Sequence, residues 1–193
     1  MTIPFDFKTN YVLEDDCVLL QPLTQNDCKN LLYFSLNEPT TWQYGFVSAA
    51  GEENLKKYIA DAEQGRSNQK MYAFSVFDKR QNTYAGSTRF YDINLAFKTL
   101  HIGYTWYGEQ FRGTGLNVHC KYLLLQFAFE QMGMHRVEFR ADARNEGSIA
   151  AMKKIGCTVE GILREDMPLL TGGRRSSIIL SILKSEWEES VKD

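Results

Sequence analysis

Two glycines stand close together in the stretch Gln110-Phe111-Arg112-Gly113-Thr114-Gly115-Leu116-Asn117. Glycine lets a backbone approach a ligand closely and turn its amides outward. A helix starting directly after such a turn adds partial positive charge at its first amides. Together these make a cradle for a pyrophosphate, and Arg112 adds a charged donor. A Gly-x-Gly turn before a helix is often only a turn, so the loop alone does not decide the function. Two other phosphate loops are excluded. The NTPase loop needs Gly-Lys-Ser/Thr after four spacer residues, and the step from Gly113 to Gly115 is too short. A dinucleotide fingerprint needs a third glycine and a later acidic residue, and position 118 is Val118.

The loop must be positioned by a strand before it and a helix after it. Residues 100–107 read as the strand. Residues 114–132 read as a long helix, with Leu116, Cys120, Leu123, Leu124, Phe127 and Ala128 recurring at helical spacing. Val118, Tyr122, Leu125 and Phe129 form a second stripe, which predicts burial on two sides. Next, Val137, Phe139 and Ala141 alternate with Glu138, Arg140 and Asp142, giving a strand over 135–142 with one buried face. A short helix follows over 145–155 and stops at Gly156. Upstream, a first strand covers 17–23. Thr24 and Asn26 offer caps for a helix carrying Leu31, Leu32 and Phe34. Residues 37–48 read as a loop, and a second helix covers 52–64, ending at Gly65. Strands follow over 71–77 and 83–91. Two last strands fall at 157–164 and 174–184, with Thr171-Gly172-Gly173 in the loop between them. This order predicts an α/β chain of mixed α+β type, a central mixed sheet with helices on its faces.

The 193 residues are 44% hydrophobic and 24% charged, which fits one globular domain over residues 1–193 rather than a disordered chain. A formal net charge of -2 gives no global attraction for nucleic acid. Cys17, Cys28, Cys120 and Cys157 form no C-x-x-C pair. His119 sits beside Cys120, but adjacent helical residues point in different directions, so no metal site is expected. Free thiols fit a reducing compartment and hence the cytoplasm. Residues 1–10 lack a basic region followed by an apolar run, so no signal peptide is expected. No apolar stretch approaches the roughly 20 residues that cross a bilayer, so no membrane segment is expected.

Over residues 17–187 the chain resembles the GNAT superfamily of N-acetyltransferases. In that family the pattern Gln/Arg-x-x-Gly-x-Gly/Ala binds the coenzyme A pyrophosphate, and Gln110-x-x-Gly113-x-Gly115 matches it. Asn145-Glu146-Gly147-Ser148, Lys154-Ile155-Gly156-Cys157 and Glu160-Gly161-Ile162-Leu163-Arg164 follow in order. With Gly86-Ser87-Thr88-Arg89-Phe90-Tyr91-Asp92, Ile102-Gly103-Tyr104-Thr105-Trp106 and Ser181-Ile182-Leu183-Lys184-Ser185-Glu186-Trp187, they are similar to the branch that acetylates N-termini of ribosomal proteins. The resemblance implies a mostly antiparallel mixed sheet with helices on both faces. It implies direct transfer of an acetyl group from acetyl-CoA to a primary amine, first of all the N-terminal α-amine of a protein. A small amine, such as a polyamine, amino acid or aminoglycoside, is the second acceptor class. A non-catalytic acyl-CoA-binding module is the third reading. A homodimer through the C-terminal strands is also open.

The same resemblance places Arg112, Gly113, Thr114, Gly115, Leu116 and Asn117 around the cofactor. It pairs the pantetheine arm with backbone near Thr105, Trp106 and Tyr107, where the strand splays from its neighbour and one amide serves the oxyanion. Asn145 matches a position that bonds the cofactor arm, and equally reads as a helix N-cap. Ser148 matches a position proposed to protonate the leaving sulfur, and equally reads as a first-turn serine. One turn further on, where many members carry tyrosine, stands Met152. His101 occupies a place where the branch carries glutamate, and strand alternation puts it on one face with Gly103 and Thr105. It is the candidate general base, its alternative being a merely polar histidine. An ordinary value near 6.5 suits an α-amine near 8 better than a lysine near 10.4. Trp42, Gln43 and Tyr44 match the wall of the acceptor pocket. Phe90, Tyr91 and Asp92 form a second wall, or else pack under the loop with Asp92 solvated.

Overall fold

The computed structural model describes residues 5–170 and 172–191, so Thr171 of the expected loop lies outside the described residues. Eight strands form one sheet: β1 (Leu13–Glu14), β2 (Val18–Pro22), β3 (Tyr72–Asp78), β4 (Thr83–Asn94), β5 (Thr99–Tyr107), β6 (Arg136–Asp142), β7 (Thr158–Pro168) and β8 (Arg174–Leu183). They lie in the order β1-β2-β3-β4-β5-β6-β8-β7, and every neighbouring pair is antiparallel except β5 with β6. The mostly antiparallel mixed sheet is therefore as expected. The helices are α1 (Cys28–Asn37), α2 (Glu52–Ser67), α3 (Leu116–Gln126) and α4 (Glu146–Lys154).

Both faces of the sheet are covered. Successive strand residues point to opposite sides. Tyr58 of α2 lies on the Arg89 guanidinium of β4, 4.3 Å from ring centroid to cation. Phe127, just past α3, stacks on the next residue of β4, Phe90. Helices α1 and α2 thus cover one face and α3 the other. Leu20, Leu31, Leu55, Phe74, Phe90, Leu100, Leu124, Phe139 and Leu180 are buried between these layers.

Several local expectations need correction. The second helix does not stop at Gly65 but runs to Ser67. Gly65 is there for packing: a Cβ on it would lie 2.8 Å from Met71 Sδ. The helix after the glycine loop is α-helical only to Gln126 and then widens into a π turn over Phe127–Gln131. Its second apolar stripe is covered only at its far end. Leu125 and Phe129 are buried, whereas Val118 and Tyr122 stay 40% and 38% exposed. The sequence reading also missed β1 and the helical turn Lys184–Glu186 that ends β8. All four cysteines are free. No helix among the described residues is long and apolar enough to cross a membrane.

Candidate active site

The site begins where two strands part. Strands β5 and β6 pair only at Thr99↔Arg136, Leu100↔Val137 and His101↔Glu138. Beyond that point β6 stays bonded to β8 as far as Asp142↔Ser177, and β5 stays bonded to β4 as far as Tyr107↔Gly86. The edge of β5 from residue 102 to 107 therefore faces a gap rather than a strand.

A bulge in β5 sharpens this parting. The β4–β5 register slips between Ser87 and Arg89, and Tyr104 opposite them takes φ +50°. An extra residue bends and twists a strand, and it reverses which face later side chains use. His101 and Gly103 both lie against the Tyr91 ring. Thr105 instead meets Thr88 Oγ1 at 2.7 Å and Lys121 Nζ of α3 at 2.8 Å. The expectation that His101 and Thr105 share a face is thus wrong, because the bulge interrupts the alternation. Trp106 returns to the first face, edge-on to Trp42 and Phe34, and its buried Nε1 has no acceptor among the described residues.

The glycine loop lies at the end of β5. Gly113 has φ +74° and Gly115, which caps α3, has φ +87°. A Cβ at either would meet nothing within 4 Å, so the loop borders open space. The amides of Gly113, Thr114, Gly115 and Asn117 have no acceptor among the described residues. Thr114 Oγ1 donates to the Phe111 carbonyl at 2.8 Å and so closes the turn from within. Arg112 does not point freely into the loop. Its Nε donates to the Tyr107 carbonyl and its Nη2 to Thr41 Oγ1, tying the loop to the segment before Trp42. Asn117 accepts from Tyr107 Oη at 3.1 Å. Leu116 is fully buried and anchors the helix start.

His101 sits at the mouth of the gap. Its Nε2 is 3.6 Å from Glu138 Oε1 and its Nδ1 is 3.8 Å from Asp92 Oδ2. The ring meets Tyr91 edge-on at 4.9 Å. Burial pulls the imidazole below its ordinary 6.5, although Glu138 and Asp92 draw it upward. Burial also opposes charge on Glu138, but hydrogen bonds from Arg136 and Arg140 hold its carboxyl below the usual range. Asp92 is largely exposed and takes φ +48°.

The expected acceptor wall is partly structural. Trp42 is buried against Trp106 and so lies beneath the loop rather than in an open pocket. Tyr44 is half-buried, and its carbonyl accepts from Arg175 Nη1 at 3.1 Å. Phe90 is fully buried on the α3 face, and Gln43 is exposed.

Asn145 caps α4, its Oδ1 accepting from the Ser148 amide at 3.1 Å. Its Nδ2 and the Ser148 hydroxyl have no partner among the described residues. Both stay available to a ligand, and neither touches His101. Met152 is buried.

Sequence reasoning missed three residues. Glu138 was assigned only to the polar face of its strand, although the alternation pattern does place it there. Lys121 and Arg175 gave no signal, because a cation is ordinarily a surface residue, and each is 5% exposed. Elsewhere, His119 joins Asp15 at 2.7 Å near Cys17, not Cys120. Asp15 also accepts from the Cys17 and Val18 amides, so the group clips the β1–β2 turn to α3.

Free loop amides, an unpaired strand edge and the unused Asn145 amide fit an elongated ligand with a diphosphate at one end and an amide-bearing arm, as acetyl-CoA has. Comparison with known proteins agrees. The family model described as Acetyltransferase (GNAT) domain matches residues 18–158. "Probable N-acetyltransferase YjcK" of Bacillus subtilis (strain 168) is 25% identical over 183 residues, 92% of this chain and 100% of its own. "Putative ribosomal N-acetyltransferase YdaF" of the same organism is 30% identical over 103 residues, 53% of this chain and 55% of its own. The crystal structure of a GCN5-related N-acetyltransferase from Brucella melitensis superposes with a TM-score of 0.88 at 23% identity, covering 98% of this chain and 86% of that one.

Proposed function

Because the chain belongs to the GNAT acetyltransferase family, we propose that it moves an acetyl group from acetyl-CoA to the α-amine at a protein N-terminus. The observation that carries the transferase reading is the parting of β5 and β6 at His101↔Glu138, next to a loop with four free amides. The loop amides hold the diphosphate. The open edge of β5 near Thr105, Trp106 and Tyr107 pairs with the amide arm, and an outward amide there stabilises the oxyanion. Asn145 Nδ2 steadies the arm, and the Ser148 hydroxyl offers a hydrogen bond at its end.

His101 takes the proton of the attacking amine. It is neutral at pH 7 because burial lowers it, and Glu138 beside it stabilises the imidazolium that forms. An α-amine near 8 is neutral more often than a lysine near 10.4, so a weak base suffices for it. This match, together with the ribosomal relative, supports the N-terminal acceptor. Tyr91, Asp92 and Tyr44 border the entry for the amine, over a floor that includes Trp42. Four free thiols support a cytoplasmic location.

Calorimetric titration with acetyl-CoA, using Gly113→Asp as control, tests the cofactor site. Saturable binding lost in the variant is expected, and no binding by folded wild type refutes it. Thiol release is then compared between an N-terminal peptide and a polyamine. Release with the polyamine alone refutes the acceptor.

A further inference from the structure

Lys121 is a buried cation that none of these roles uses. It lies in the second turn of α3, and its Nζ donates to Thr105 Oγ1 at 2.8 Å. The same Nζ is 5.6 Å from the centroid of the Phe139 ring. Thr105 belongs to β5 and Phe139 to β6, and both lie past the last parallel pair. The ammonium therefore bridges the two walls of the gap that is proposed to take the pantetheine arm.

An ammonium has three donors, and Thr105 uses one. No second acceptor serves Lys121 among the described residues. The titratable groups acting on it are Cys120 of α3 itself and Cys157 just before β7, both thiols. From β5 it meets the Thr105 hydroxyl and from β6 an aromatic ring. No carboxylate acts on it among the described residues. Buried charges are ordinarily paired. This one has spare donors and no anion, in a gap where the proposed reaction creates one.

We propose that Lys121 gives its proton to the departing coenzyme A sulfur and is the counter-charge for that sulfur before transfer. The inference rests on the acetyl-CoA reading above. As the amine nitrogen bonds to the acetyl carbon, the carbon–sulfur bond breaks and its electron pair leaves on sulfur. The sulfur takes the Lys121 proton. The new amide nitrogen loses its extra proton to His101, and solvent carries a proton from His101 back to Lys121. Burial lowers Lys121 to about 8, close to the ordinary thiol value near 8.5. Proton transfer between such matched groups is efficient. An alcohol such as Ser148 offers a hydrogen bond but holds its proton far more tightly.

Coenzyme A and desulfo-coenzyme A distinguish the sulfur contact from the rest of the ligand. Calorimetry on wild type across pH should show a preference for coenzyme A of about tenfold or more, the scale of a hydrogen bond to a charged group. The preference should rise with pH to about 8, because forming the pair releases the thiol proton. It should fall above about 8.5, where the free thiol is ionised and the free lysine neutral. Lys121→Met should bind desulfo-coenzyme A like wild type, lose the preference, and turn over roughly 10²-fold more slowly. A wild type without preference at any pH overturns the proposal, even if the variant does not fold. So does a variant that keeps the preference. Failure of wild type to bind either ligand overturns the acetyl-CoA reading itself, and this inference with it.

Discussion

His101 Nε2 lies 3.6 Å from Glu138 Oε1, directly across the last parallel pair between β5 and β6. The carboxylate is in turn fixed by Arg136 Nη2 at 2.8 Å and Arg140 Nε at 2.7 Å. Two opposed effects act on the imidazole. Burial favours the neutral ring and Glu138 favours the charged one, and burial wins. The ring is thus free to accept a proton, and the carboxylate is already in place when it does.

This sets a pH profile. A group that must be neutral and titrates below 6.5 gives activity that falls on the acid side below that pH. His101→Ala should lower kcat/KM roughly 10²-fold and abolish the limb. Glu138→Gln removes the attraction that raises His101, so the limb should move to lower pH while turnover drops. Unchanged turnover of His101→Ala across pH refutes the assignment of the base.

Gly115 tests the loop by conformation alone. A Cβ there meets nothing, yet φ is +87°. Gly115→Ala should therefore pay only the left-handed strain, about 1–2 kcal/mol, seen as weaker acetyl-CoA binding in calorimetry. Gly115→Asn, which tolerates this region, should recover most of the loss. Equal losses in both would mean that side-chain bulk, not backbone shape, decides.

Gly86 tests the β4–β5 contact. A Cβ on it would fall 2.0 Å from the Trp106 carbonyl oxygen. Gly86→Ala must push the two strands apart, and a cost of about 1–3 kcal/mol is expected from such overpacking. The readout is the midpoint of denaturant unfolding, and an unshifted midpoint contradicts the close approach.

Glu160 sets part of the acid stability. Hydrogen bonds from Arg136 and Ser181 lower its carboxyl to about 2 from 4.5. The linked stability is fully present above 4.5 and is lost as pH falls through about 2. The side chain is 39% exposed, so solvent screening keeps the contribution small. Glu160→Gln should flatten the fall of Tm with acid in that window and leave Tm at pH 7 slightly lower. A parallel fall in both proteins would show that other carboxylates dominate.

Neighbours along the chain are enough to mark the glycine loop and most of the elements, though not β1 or the helical turn that ends β8. Helical spacing around Leu116 and Leu124 marks α3, and alternation around Val137 and Phe139 marks β6. The glycines at 113 and 115 mark a backbone only they adopt easily. His101 was legible as a departure from a pattern, and its shared face with Gly103 followed from period two. The remaining features depend on contacts between segments far apart in the chain. Whether Thr105 follows His101 depends on a bulge at Tyr104, which the pairing with β4 imposes and no local preference of tyrosine announces. The contact of His101 with Glu138 exists because β6 is parallel to β5 for three residues and is then held by β8 instead. Lys121 reads as a surface lysine until that parting opens a gap beneath α3. A chain encodes local shape in short-range sterics and spacing. Which distant side chains meet in a cleft is set by where strand pairing stops, a balance among all the strands at once.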